Sequence, residues 1–110
     1  MKQIDNDLTG QIITMVCEAW GIDRPSLVSH SRRRPLPWAR CILCEYLRLY
    51  AGHDTVSCAA ILHVKPDAVQ CYNYRYQSLR NTFIPFRERD EKIHSQIKAI
   101  VKGRCNPAKR

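Results

Sequence analysis

The sequence contains no apolar run long enough to cross a bilayer, which takes about 20 consecutive residues. Its first residues, Met1-Lys2-Gln3-Ile4-Asp5, lack the apolar stretch of a secretory signal, so a cytoplasmic chain without membrane contact is expected. It holds no Gly-rich Walker sequence to cradle a nucleotide phosphate. It shows no Cys-His or Ser-His-Asp constellation and no clear carboxylate pair, so an enzyme is not expected. Acids are scarce: ten Asp and Glu stand against eighteen Lys and Arg, a formal charge of +8. With 110 residues there is room for one domain and a tail, not for two domains.

The positive charge is clustered. Residues 30–40 carry Arg32, Arg33, Arg34 and Arg40 with no acid among them. Residues 84–110 carry eight bases against three acids, whereas residues 1–29 are net acidic. A surface charged only for solubility has no need of such clustering; a basic patch that meets a polyanion does.

Six cysteines raise the question of disulfides or metal. Outside a secreted context, reduced thiols are the default. Cys41-Ile42-Leu43-Cys44 has ligand spacing, but no second pair follows and the four histidines are scattered. Both cysteines also fall within an apolar helical pattern, so core positions are expected, with no metal and no cofactor.

The periodicity is helical throughout, and an all-α fold is expected. Leu8, Ile12, Ile13, Val16 and Trp20 form one face of a first helix, which Gly21 ends. Asp23 caps a short second helix that buries Leu27 and Val28. From Ser29 to Pro37 two prolines and three arginines predict a basic, outward-facing loop. A long helix follows from about Trp38 to Ala51, with Ala39, Ile42, Leu43, Tyr46, Leu47 and Tyr50 as its stripe.

The next segment predicts a helix-turn-helix. A short helix capped by Asp54 or Thr55 carries Val56, Ala59 and Leu62 inward. A tight turn sits at His63, and Val64 tucks into the core. A second helix opens at Lys65-Pro66, where the missing proline N–H costs nothing, and buries Val69, Tyr72 or Asn73, Tyr76, Leu79 and Phe83. Its outward candidates are Lys65, Asp67, Ala68, Gln70, Cys71 and Tyr74. A plain helical hairpin is the alternative, and the alternating tyrosines leave open a stacking platform for single-stranded nucleic acid.

Pro85 is expected to break this helix, leaving residues 1–84 as the DNA-binding domain. A final helix over residues 85–102, regular from Glu88, has Ile93, Ile97 and Ile100 as a narrow stripe. Residues 103–110 read as a basic flexible tail. The stripe packs on its own core or seats a homodimer.

Residues 16–83 resemble the C-terminal DNA-binding domain of the bacterial replication initiator DnaA, within the Trp-repressor-like superfamily. The carrying segments are Val16 to Pro35, Ala39-Arg40 and Tyr46-Leu47. The resemblance implies that Arg32 enters a minor groove with Arg33 and Arg34 beside it. It implies that Arg40 touches phosphate and that the start of the second motif helix reads the major groove of double-stranded DNA. Where the family has Asp-His-Ser/Thr-Thr-Val, this chain has Lys65-Pro66-Asp67-Ala68-Val69, and only the valine is kept. The expectation is therefore a double-stranded DNA-binding regulator or replication accessory that does not read the initiator's own box. The alternative is a protein-interaction module of the same fold.

Overall fold

The computed structural model describes residues 6–29 and 31–105, the last three by backbone alone. They form six helices and no strand: α1 (Asn6–Trp20), α2 (Arg24–Leu27), α3 (Leu36–Tyr50), α4 (Thr55–Leu62), α5 (Pro66–Thr82) and α6 (Ile84–Cys105). The architecture is all-α.

Local chemistry sets most boundaries. Gly21 ends α1 with φ of 66°, a left-handed conformation that glycine adopts without Cβ strain. Asp23 caps α2 by accepting from the Ser26 N–H, and Asp54 caps α4 by accepting from the Ser57 N–H. α3 begins earlier than expected: Leu36 is its first residue, and Pro37 sits in the first turn, where its missing N–H has no helical partner to lose. Pro85 likewise opens a helix, since α6 starts at Ile84 with only Phe83 between it and α5. α6 also runs through Cys105, into the segment expected to be tail; residues 106–110 lie outside the described residues.

α3 is the central helix. Its Ala39, Cys41, Ile42, Leu43, Cys44, Tyr46 and Leu47 are buried, and it packs on α1, α2, α4 and α5. Both cysteines of the C-x-x-C are core residues, and burial pushes the Cys41 thiol up to about 12. α2 is anchored by Leu27, whose complete burial contributes about 2 kcal/mol. α4 buries Ala59 and Leu62 as expected, but Cys58 takes the third inward place while Val56 is 65% exposed.

α6 belongs to the same core. Phe86, Ile93 and Ile97 are fully buried where α6 packs on α1 and α5, so a unit closed at residue 84 would lack part of its interior. Ile93 and Ile97 of the isoleucine stripe are thereby consumed within the chain, and Ile100 is half-buried against the same core. An aromatic ladder ties this side together. Trp20 lies 5.7 Å from Trp38, Trp38 lies 4.7 Å from Phe83, and Trp20 lies 6.3 Å from Phe86.

One buried polar cluster fastens α6 to α3 and α5. The Asp90 carboxylate is 1% exposed. It accepts from the hydroxyls of Tyr46 and Tyr76 and pairs with the Arg80 guanidinium. Burial, followed by the bond to Asp90, holds both phenols well above the usual tyrosine range, so they remain donors.

Candidate nucleic-acid interface

The basic loop is shaped by its own serines. Ser29 Oγ donates to the Ser26 carbonyl at 2.7 Å, the Ser31 N–H donates to Ser29 Oγ, and the Arg33 N–H donates to Ser31 Oγ. These short-range bonds are the turn-forming habit of serine. They carry Arg32, Arg33 and Arg34 outward, and all three are exposed. None of the described acids pairs with them.

Arg40 supports this loop from below. It is 3% exposed, and its guanidinium donates to the carbonyls of Leu27 (2.9 Å), Ser31 (2.8 Å), Ser29 (2.8 Å) and Ser26 (3.4 Å). The phosphate contact expected of Arg40 therefore gives way to a structural role. Its charge is committed to four carbonyls of the turn, of which that of Ser26 also accepts from Ser29.

The α4–α5 corner turns at His63, whose φ of 58° is the left-handed conformation. The Val64 N–H then reaches back to the Ala59 carbonyl at 3.0 Å. This closes the end of α4 as a glycine-type cap does, with histidine in the strained position. Val64 packs against the core, as expected. Lys65 precedes Pro66, the first residue of α5.

Along α5 the exposed residues Asp67, Gln70, Cys71 and Tyr74 recur at three- and four-residue spacing and share an outer face. Tyr74 is 84% exposed. Val69 and Tyr76 are buried on the opposite side, and Tyr72 is half-buried. Lys65 and Pro66 are exposed, and Ala68 is half-buried on the flank that faces the loop.

Loop and helix lie side by side. Arg32, Ser29 and the edge of Arg40 line a cleft of about 550 Å³ together with His63, Lys65, Asp67, Ala68 and Tyr72. Further along the same flank of α5, Arg34 and Trp38 line a second groove with Arg75, Leu79, Thr82 and Phe83. The outer face of α5 is thus bordered by Arg32 at its first turn and by Arg34 beyond its middle. Asp67 is the only acid among the residues lining either depression.

No family model matches the chain, and no curated protein or solved structure matches it either.

Two members of the basic surface were missed by sequence reasoning. Arg75 falls seven residues after Ala68, and that spacing places it on the loop-facing flank. Trp38 was expected only as the start of a helix, yet the Arg34 guanidinium lies over its ring, 5.4 Å from the centroid. Of the C-terminal bases, Lys98 and Lys102 are exposed on α6, while Lys109 and Arg110 lie outside the described residues. Among the described residues no group of three His, Cys, Asp or Glu side chains gathers as a metal site.

Proposed function

We propose that the protein binds double-stranded DNA. In this reading α4, the His63 corner and α5 act as a helix-turn-helix. The first turns of α5 enter the major groove, and the Arg32–Arg34 loop reaches the adjacent minor groove. An α-helix fits the width of the major groove, and a narrow minor groove concentrates negative potential that draws arginine in.

The observation that carries the reading is the shared cleft: Arg32 of the loop and Lys65 and Ala68 of α5 line the same depression. One rigid duplex can therefore meet both elements at once. Gln70 is the candidate for bidentate pairing with adenine, and Ala68 for contact with a thymine methyl. Tyr74 and Cys71 complete the contact face. Asp67, in the first turn of α5, favours the helix dipole and is placed to accept from a cytosine amine. The resemblance to the DnaA C-terminal domain agrees with this arrangement, while the Lys65–Val69 departure points to a different target sequence. A regulator or replication accessory protein is the corresponding role.

A salt-titrated fluorescence anisotropy experiment on mixed-sequence duplexes tests the reading. With about four to six phosphates neutralised, log Kd should change with log salt with a slope of about 4 to 5 in magnitude. Absence of duplex binding at low salt would overturn the reading in favour of a protein-interaction module.

A further inference from the structure

The groove beside Arg34 carries a more specific inference, which rests on the DNA-binding reading. We propose that Arg34 and Arg75 together grip one phosphodiester of the DNA backbone, with Trp38 as the residue that positions Arg34.

Three observations lead there. The groove is lined by Arg34, Trp38, Arg75, Leu79, Thr82 and Phe83, so two guanidinium groups share its rim and no acid does. Neither arginine forms an ion pair with a described acid. Arg34 does not extend freely from the loop either: its guanidinium rests over the Trp38 ring. That ring is itself held, 4.7 Å from Phe83 and 5.7 Å from Trp20.

A guanidinium stacked on an aromatic face still has its planar edge of N–H donors available for a charged oxygen acceptor. A second guanidinium across the groove supplies a further set. The floor of Trp38, Leu79 and Phe83 is largely apolar and suits the apolar face of a deoxyribose. A phosphodiester with its sugar matches that combination of rim and floor. Arg32, at the first cleft, is left to the DNA groove, so Arg32 and Arg34 serve different tasks.

The test measures duplex affinity against salt for the full chain and for Arg34→Ala, Arg75→Ala and the double variant. Each neutralised phosphate contributes about 0.9 to the log–log slope. A shared phosphate predicts that the double variant loses about 0.9 in total, with an affinity loss of about tenfold or more at low salt. A loss near twice that slope means two separate phosphates and overturns the proposal. An unchanged slope with wild-type affinity also overturns it, while leaving the DNA-binding reading intact. No duplex binding by the unaltered chain overturns both.

Trp38 is tested separately. Trp38→Leu keeps both charges, so it should weaken binding several-fold, and Trp38→Phe should restore most of the loss. Equal weakening by Phe and Leu, with Tm unchanged in both, removes the positioning role. Inorganic phosphate added at constant ionic strength distinguishes a site for the free ion from one for the duplex. Displacement of DNA by millimolar phosphate would overturn assignment of the groove to the backbone.

Discussion

The Nε of Arg40, on α3, donates to the carbonyl oxygen of Leu27, at the end of α2, across a sequence separation of thirteen residues. The other guanidinium nitrogens continue upward along the loop to Ser29 and Ser31. A residue expected to meet DNA thus holds the segment that presents Arg32–Arg34.

Arg40→Lys should be poorly tolerated despite keeping the charge. An ammonium offers three donors from one point and cannot reach carbonyls spread from residue 26 to residue 31. Buried carbonyls left without donors should cost about 2–3 kcal/mol in urea denaturation. A loss below about 0.5 kcal/mol would contradict the structural role.

Asp90→Ala should be clearly destabilising, at about 2–3 kcal/mol by chemical denaturation. It removes the carboxylate that accepts from Tyr46 and Tyr76, leaving the buried Tyr76 hydroxyl without that acceptor while Tyr46 keeps the Asp90 backbone carbonyl. Arg80 keeps solvent and Glu91, so Arg80→Ala alone should cost less than Asp90→Ala.

His53 gives the fold a pH dependence. Its ring is buried and hydrogen-bonds to Thr9 through Nε2 and to Ser57 through Nδ1. Burial lowers its pKa below the ordinary 6.5, with the Asp54 charge opposing. The unfolded chain therefore takes up this proton first as pH falls. Stability from the site is complete above pH 6.5 and declines as pH drops through 6.5 toward the lower folded value. Tm measured from pH 7.5 to 5 should fall more steeply for the native chain than for His53→Gln. Parallel curves would remove His53 as the cause.

His63→Gly should leave stability unchanged or raise it by up to about 1 kcal/mol, since glycine adopts the left-handed corner without Cβ strain but loses more entropy on folding. His63→Val should cost about 1–2 kcal/mol in the same thermal-unfolding comparison.

If the loop meets DNA as proposed, Arg32→Glu with Arg34→Glu should reduce duplex affinity by well over about tenfold. Lys98→Glu with Lys102→Glu should have a smaller effect, because those side chains stand on α6 and neither lines the two depressions beside α5. Equal losses from the two pairs would point to charge-driven attraction without a defined face.

The elements that the sequence disclosed are those governed by near neighbours. The apolar repeat of α1, the ends at Gly21 and Asp23, the Asp54 cap and the outward loop arginines each depend on residues within one or two turns. In α4 only Val56 was misplaced, because Thr55–Leu62 is short and apolar nearly all round, so Val56 and Cys58 were equally plausible inward positions. Pro37 was read as part of a loop, yet it stands in the first turn of α3, where proline is tolerated; the break expected at Pro85 does fall there, between α5 and α6. Arg40 and Asp90 could not be placed from sequence at all. Burial of either charge needs partners that meet only after the chain has folded, such as Tyr46 and Asp90 at a separation of 44 residues.

The Arg40 brace also bears on how the protein would meet a partner. Ordering a backbone residue costs about 1–2 kcal/mol in lost freedom. For Ser31 to Arg33 that loss is already incurred when the chain folds, well before any encounter. An arriving polyanion would find the backbone that carries Arg32 and Arg33 already in place, so association should be limited by diffusion, desolvation and side-chain ordering instead of by a loop finding its shape.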